Sequence, residues 1–372
     1  MKRKKLGRNK IERKRVLMEV EMRNRRMKYL GIIAVLLMLT FTACSGKKDN
    51  KTNDNTNKEL KQSNVTDSNE EDNTEPTVKT DATILTVGDI KVPYNEVMVY
   101  VLLLKELYEP NFTNVIWDYK LDTGATFGQM AREEVLNQII QLKIMTMEAH
   151  NFNTILTDDE LIEIENYANE YLAGIKEEDR EKYGIDYDTV FKICKDNFLS
   201  EKVFDVATMD VDTSISDEEA KQVTVYQIEV STASKDKNGE VIALSDEEKE
   251  AALNKAKKLL KKVKKEEDFY TFALSNSDDS QVEYTIGRGD KSDEYIDAAF
   301  ALEEGKISKV IEDESGYYIL YCVDSFNEDA TAQKKEEIIS QRQDEAFQKL
   351  YKEWLGNYKV KIKQEIWDEI QF

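Results

Sequence analysis

Between residues 82 and 215, apolar side chains recur mostly at the spacing of an α-helix. Five of them share one stripe of a predicted helix from about Phe127 to His150, namely Leu136, Ile139, Ile140, Ile144 and Met147. The segment from Glu96 to about Tyr108 is apolar on nearly every side, which is typical of a helix buried among others. Before it, Ile84–Val92 predicts a short hairpin that turns at Gly88-Asp89.

Several helix starts are marked by a Ser or Thr with Glu or Gln three residues later, the pattern of a capping box. These pairs are Thr126/Gln129, Thr157/Glu160, Ser216/Glu219 and Ser245/Glu248. Asn95 is expected to cap the helix that starts at Glu96. A further helix carries Val190, Cys194 and Phe198 on one stripe, so the region up to residue 215 is predicted to be mostly helical.

From Val223 onward the pattern mixes strands and helices. Strands are predicted at Val223–Val230, Ile307–Ile311 and Tyr317–Val323, and helices at Ser245–Lys265, Phe269–Leu274 and Tyr295–Leu302. A loop is predicted at Asp236–Gly239. The pattern at Thr331–Phe372 predicts a long amphipathic helix with a short tail. The apolar stripe of this helix is Phe347, Leu350, Trp354 and Tyr358. The fold class is therefore α+β, with a helical module around a compact α+β unit.

The charge is distributed unevenly along the chain, whose formal net charge is −21. Residues 1–44 hold 13 Lys and Arg against 3 Asp and Glu, so the remainder carries −31. Nucleic-acid binding requires clustered Lys and Arg, and the acidic remainder excludes it. The same acidity keeps copies of the protein apart and argues against adhesion of the folded part to an anionic membrane.

The N-terminal segment resembles the signal peptide of a bacterial lipoprotein. Leu30–Ala43 is 14 uncharged residues long, too short for the about 20 that a membrane-spanning helix needs. It follows a basic prefix and ends in Phe41-Thr42-Ala43-Cys44, which resembles a lipobox and implies lipidation of Cys44. An uncleaved signal anchor is the alternative, and the true start is Met1 or Met27.

Residues 45–81 are rich in Lys, Asn, Asp, Thr, Ser and Glu and are predicted to form a flexible tether. Such a coil reaches roughly 30–37 Å from a membrane. The predicted organisation is thus a signal peptide at 1–44, this tether, a helical module at 82–221, an α+β domain at 222–326 and a C-terminal helix at 327–372.

The chain has three cysteines, Cys44, Cys194 and Cys322, and one histidine, His150. That set offers no zinc site and no disulfide framework, so neither a metal nor another cofactor is expected. Cys194 and Cys322 are predicted to be small core residues, with a disulfide between them as the minor alternative. His150 is predicted to lie on the surface near a helix C-terminus, where an imidazolium suits the helix dipole.

Residues 222–326 contain a pattern of aromatic, small and apolar residues at fixed spacing: Phe269, Ala273, Ser277, Gly287, Gly289, Tyr295, Ala298, Ala299, Phe300, Leu302, Gly305, Ile307, Ser308, Gly316, Tyr317, Ile319 and Val323. In spacing and residue type this segment resembles the parvulin family of peptidyl-prolyl isomerases. The flanks resemble the chaperone module of PrsA- and SurA-like foldases, in which the last helix folds back onto the first module. The resemblance spans about residues 84–365 and implies an extracytoplasmic protein that binds unfolded secreted proteins.

The resemblance also shows that the usual catalytic residues of the family are replaced. The two histidines of the family fall on Gln227 and Tyr318, and its acid or thiol falls on Val282. In the proline pocket the apolar Met falls on Lys291 and the Phe on Tyr295, and Phe300 is a third candidate contact. No residue is therefore assigned a catalytic role, and weak or absent isomerase activity is expected.

Three functions follow from these observations. The first is a lipid-anchored chaperone with little or no isomerase activity, which assists the folding of secreted proteins. The second is an active prolyl isomerase with altered site chemistry, and the third is an adaptor lipoprotein. Expected partners are unfolded secreted proteins and, through Cys44, the outer face of a cell membrane, with a homodimer left open.

Overall fold

The structure, a computed structural model, describes residues 80–235 and 241–372. The predicted signal peptide with Cys44, nearly all of the predicted tether and the loop at 236–239 lie outside the described residues. Within the described part, no helix is both long and apolar enough to cross a bilayer. The chain divides into two compact units, the first made of the described residues up to Asp210 with Asp344–Phe372, and the second of Val211–Gln343.

The elements follow in chain order. Up to Asp210 they are β1 (Thr83–Val87), β2 (Ile90–Pro93), α1 (Tyr94–Phe112), a 3-10 helix (Asn114–Asp118), α2 (Phe127–Glu148), α3 (Asp158–Gly174), α4 (Glu177–Tyr183) and α5 (Tyr187–Ala207). Next come α6 (Asp217–Ala220), β3 (Val223–Ser231), β4 (Ala233–Lys235), β5 (Val241–Ala243), α7 (Asp246–Val263), α8 (Phe269–Asn276), β6 (Glu283–Ile286), α9 (Asp293–Phe300), β7 (Ile311–Glu312) and β8 (Gly316–Asp324). The last are α10 (Glu328–Leu355), β9 (Val360–Ile362) and α11 (Gln364–Asp368).

The first unit packs its helices and a three-stranded antiparallel sheet, in the order β2-β1-β9, around one core. Gly88 makes the predicted hairpin turn with φ +56°, a backbone conformation that side chains with a Cβ rarely adopt. The C-terminal part of α10 belongs to this unit, where the ring centroid of Phe347 lies 5.1 Å from that of Phe204 and that of Trp354 lies 5.5 Å from that of Phe152.

The second unit is built on a four-stranded antiparallel sheet in the order β6-β3-β8-β7. Side chains of β3 alternate between its two faces, so Ile228 and Val230 pack against α7 and α8. Val223 and Val225 face the other way and pack against Tyr295 of α9. Both faces of the central strands are therefore buried, and the α+β class predicted from the sequence is confirmed.

The capping boxes at Thr126, Thr157 and Ser245 are present in full. At Ser216 the hydroxyl accepts from the Glu219 amide, and the helix that it caps is only four residues long. Asn95 does not cap α1, because the chain before it is extended and Pro93 takes the N-cap position. Instead the Asn95 amide donates to the Gly184 carbonyl and the Thr189 hydroxyl, and so ties α1 to α5.

Two features of the sheets differ from the prediction. The strand expected at Ile307–Ile311 is reduced to an isolated bridge between Ile307 and Tyr321 and the short strand β7. The sequence did not predict strands β4, β5, β6 and β9, because three or four residues are too few to show an alternating pattern. Cys194 and Cys322 are both buried free thiols, as expected of core residues, and do not form the alternative disulfide.

Candidate functional site

Gln227 lies at the centre of the candidate site, in the middle of β3 and with no exposed surface. Its side-chain Nε2 donates to Asp279 Oδ2 at 2.9 Å, and its Oε1 accepts from the Tyr295 hydroxyl at 2.8 Å. Both ends of the amide are thus engaged within the protein. A buried polar group needs such partners, and they leave this one little capacity to bind a peptide.

Tyr295 and Tyr318 pack edge to face beside Gln227, with ring centroids 5.2 Å apart. Tyr295 has no exposed surface, and Tyr318 is 5% exposed. The Tyr318 hydroxyl lies 3.0 Å from the Ser315 hydroxyl. Gln227 and Tyr318 therefore have separate hydrogen-bond partners, and a peptide reaches Tyr295 only if the surrounding residues move.

Asp279 is the carboxylate of the site, and the sequence alignment missed it. It accepts from Gln227 and also from the Tyr284 hydroxyl at 2.6 Å, while the Gln281 amide holds its other oxygen. Val282, which the family resemblance aligns with the acid or thiol, packs in the core on the opposite face of the sheet. Only its backbone carbonyl contacts Gln227, by accepting from the backbone N–H of that residue. The sequence feature that could have indicated Asp279 is the acidic pair Asp278-Asp279 directly after Ser277.

Lys291 lies over two aromatic rings at the site. Its Nζ is 4.5 Å from the centroid of Tyr284 and 5.8 Å from that of Tyr295, the range of a cation–π contact. Phe300 packs on the same hydrophobic cluster as Tyr295, and the cations of Lys221 and Arg288 each lie 5.0 Å from the centroid of its ring. The three residues predicted to contact a peptide therefore share one cluster, in which Lys291 carries a positive charge and both Tyr295 and Phe300 contact cations.

The tyrosines of the site are neutral hydrogen-bond donors. Burial raises the pKa of Tyr318 to about 12 and also raises the pKa values of Tyr295 and Tyr284. Burial, followed by the nearby Asp279 carboxylate, likewise raises the pKa of Glu229, whose cross-strand partner is Tyr318. The phenols stay protonated at neutral pH, so the cluster consists of an amide and phenols beside the carboxyl groups of Asp279 and Glu229.

This arrangement holds the amide and phenols of the cluster in place through hydrogen bonds within the protein. No group of three His, Cys, Asp or Glu within residues 80–235 and 241–372 is placed to hold a metal ion. The chemistry that these side chains offer is hydrogen bonding, together with the charge of Lys291 at the edge of the cluster. A peptide bound here would therefore be recognised by polar and cationic contacts rather than by a dry proline pocket.

Comparison with known proteins agrees with this fold. Residues 234–324 match the family described as a PPIC-type PPIASE (rotamase) domain, a match that begins after β3 and so does not include Gln227. Foldase protein PrsA of Clostridium botulinum (strain 657 / Type Ba4) is 26% identical over 299 residues, which cover 69% of this chain and 84% of that protein. Foldase protein PrsA of Caldanaerobacter subterraneus subsp. tengcongensis is 26% identical over 57% of this chain and 62% of its own length.

Solved structures show looser similarity. PrsA from Bacillus cereus aligns with 66% of this chain and 92% of its own at 19% identity, with a TM-score of 0.33. A SurA-like chaperone of Campylobacter jejuni aligns with 76% of this chain and 98% of its own at 11% identity, with a TM-score of 0.28. By sequence the chain is therefore similar to PrsA foldases, and its residues 234–324 match a PPIC-type PPIASE (rotamase) domain.

Proposed function

We infer that this PrsA/SurA-like foldase acts on unfolded proteins mainly by binding them and has little or no prolyl isomerase activity. The observation that carries the inference is the state of Gln227, whose side-chain amide is bonded at both ends to Asp279 and Tyr295. The family resemblance aligns this residue with a histidine. Unfolded client proteins are its partners, as for foldases and chaperones generally.

Isomerase activity demands more than a parvulin fold. Rotation about an X-Pro bond crosses a barrier of about 18–20 kcal/mol, so a catalyst must bind the twisted amide more tightly than either planar form. Here Tyr295, at the position of the family's proline-pocket aromatic, has no exposed surface. Lys291 adds a charge where a proline ring would have to lose water. Both features oppose productive binding of proline.

The test compares the full chain with the double variant Gln227→His, Tyr318→His in two assays. One assay follows cis–trans isomerisation of an X-Pro peptide, and the other follows light scattering by a thermally unfolded client. We expect the natural chain to give the uncatalysed isomerisation rate and still to suppress aggregation. A second client without proline should be protected equally, because binding does not depend on proline.

Two results would overturn the proposal. The first is isomerisation by the natural chain well above the uncatalysed rate, which would mean that the reaction does not need the histidines. The second is an absence of protection for every client tested, which would remove the chaperone function. A gain of turnover in the double variant alone would support the proposal, because it would show that the natural side chains at Gln227 and Tyr318 silence the site.

We further propose that the protein is extracytoplasmic and lipid-anchored through Cys44, which ends a short apolar segment of the signal-peptide type. Two or three acyl chains would hold it at a membrane, because each buried CH₂ contributes about 0.8 kcal/mol. The experiment is incorporation of labelled fatty acid into the natural chain and into Cys44→Ser. Label in the natural chain alone is the expected result, and equal label in both would contradict lipidation at Cys44.

A further inference from the structure

Three tyrosines form a partly open cluster in the second unit, here called the tyrosine patch: Tyr226, Tyr270 and Tyr321. Tyr226 stacks on Tyr321 with centroids 6.0 Å apart and an angle of 11° between the rings, and it lies 5.0 Å from the tilted ring of Tyr270. Phe269 supports Tyr321 from the core side at 5.4 Å. Tyr270 is 37% exposed and the other two tyrosines are half-buried, so parts of the rings meet solvent.

The tyrosine patch lies on the face of the sheet opposite the candidate site. Tyr226 and Gln227 are successive residues of β3, and side chains of a strand alternate between its faces. Tyr226 accordingly belongs to the cluster that packs on α7 and α8, whereas Gln227 contacts Tyr295 of α9. Whatever binds the tyrosine patch therefore does not compete directly with a peptide at Gln227.

Two exposed carboxylates flank the tyrosine patch. Glu283 is the direct cross-strand partner of Tyr226, which places both side chains on one face. Asp268 precedes Phe269 at the start of α8, where hydrogen bonds from Thr271 lower its pKa and so keep it ionised. Burial, and then Glu283 and more weakly Asp268, raise the pKa of Tyr226, which places both acids within electrostatic reach of the ring.

Within the described residues, no cation lies over the rings of the tyrosine patch to offset the negative charge of Glu283 and Asp268. Among the described residues, the cation–π contacts fall on other aromatic side chains, and no Lys or Arg lies over Tyr226, Tyr270 or Tyr321. The faces of aromatic rings attract cations, and adjacent carboxylates strengthen that attraction. A partly open group of electron-rich rings with an acidic rim is thus complementary to a positively charged group with an apolar stem.

We propose that the tyrosine patch, with Glu283 and Asp268, is a second client-binding surface that takes Arg or Lys side chains of unfolded chains. This rests on the proposed function and assigns a chemistry to its clients. The planar guanidinium of Arg stacks on the rings while the carboxylates meet its charge. Such a surface would hold cationic segments of a client on one face of the sheet and leave the opposite face free.

The experiment measures binding of an unstructured, fluorescently labelled peptide with one central Arg to the full chain, by fluorescence anisotropy. The matched probe carries citrulline, which keeps the shape and loses the charge. We expect the Arg peptide to bind about 3- to 10-fold more tightly at low salt, and the preference to shrink as salt screens the carboxylates.

Matched variants locate the effect. Tyr270→Leu should lower affinity for the Arg peptide about 3- to 10-fold, whereas Tyr270→Phe keeps the ring and should bind nearly as well as the natural chain. Glu283→Gln should lower the affinity and flatten its salt dependence. Tyr119→Leu, which removes a tyrosine that is 63% exposed in the first unit, is the control and should change nothing.

Equal affinity for the Arg and citrulline peptides would overturn the proposal, as would equal losses in Tyr270→Leu and Tyr119→Leu. A change of sedimentation in Tyr270→Leu with no change in peptide affinity would mark the tyrosine patch as a contact between copies and would also overturn it. Each of these results can occur while the natural chain still suppresses client aggregation, so failure here is distinguishable from failure of the foldase function.

Discussion

Lys143 has no exposed surface, yet it carries a charge into the core of the first unit. Its Nζ lies 2.5 Å from Asp196 Oδ2 and also pairs with Glu96, whose second oxygen is 2.8 Å from Lys192. Burial alone would lower the pKa of Lys143, but the two carboxylates outweigh it and raise the pKa. The Lys143 ammonium is therefore charged, and its burial is tolerated only because the two carboxylates offset the cost.

Replacing Lys143 with Met should destabilise the first unit by about 3–5 kcal/mol, because Glu96 and Asp196 lose the cation that offsets their burial. Lys192→Met removes the 45% exposed partner of the same Glu96 and should cost only about 0–1 kcal/mol. Urea unfolding followed by tryptophan fluorescence measures both variants, since Trp117, Trp354 and Trp367 all lie in the first unit. Equal losses in the two variants would contradict this account.

The roles of buried polar residues could not be predicted from the sequence when their partners lie far away along the chain. The stripe that predicted α2 contained only apolar residues and omitted Lys143, because its partners come from α1 and α5, about 50 residues away in either direction. The same limit explains why Asp279 was missed, since its role depends on Gln227, 52 residues earlier. Gln227, Tyr318 and Lys291, by contrast, were singled out by their place in a family pattern.

At the scale of whole elements, helices were predicted better than strands. The capping boxes at Thr126, Thr157 and Ser245 fix three helix starts locally, within four residues of chain. Strand β9 has no such local signal, because its three residues form a strand by pairing with β1, which lies much earlier in the sequence. Non-local pairing is what the sequence pattern could not supply.

The capping box of α3 is expected to contribute measurably to stability. The Thr157 hydroxyl accepts from the backbone N–H of Glu160, and the Glu160 carboxylate accepts from the backbone N–H of Thr157. Lys202 of α5 donates to the same carboxylate at 2.8 Å. Thr157→Ala should lower the free energy of unfolding of the first unit by about 1 kcal/mol. Thr157→Ser keeps the hydroxyl and should restore most of it, and a loss equal to that of Ala would show that the cap is not responsible.

The same box should make stability depend on pH. Hydrogen bonds from Lys202 and from Thr157 lower the pKa of Glu160 from 4.5 to about 2. Because the folded pKa is the lower one, this contribution is complete above pH 4.5 and is lost as the pH falls toward 2. Glu160→Gln should therefore be less stable than the natural chain at pH 6 and differ little from it near pH 2. A constant difference across that range of urea midpoints would contradict the assignment.

On the scale of the whole molecule, each unit has its own core and contains one buried free thiol. Cys194 lies in the first core, where burial raises its pKa to about 12, and Cys322 lies in the second unit, where burial also raises its pKa. Thiolates react and thiols do not, so neither cysteine should react while its unit is folded. The two residues therefore report separately on the two units.

Pulsed labelling with a thiol reagent across a urea series, read by mass spectrometry of the peptides, should show protection of both cysteines in native buffer. Lys143→Met should shift labelling of Cys194 to lower urea and leave that of Cys322 in place, because its effect is confined to the first core. A parallel shift at both cysteines would mean that the two units unfold as one. Labelling of Cys194 in native buffer would contradict the protection expected from its burial, which leaves 5% of the residue exposed.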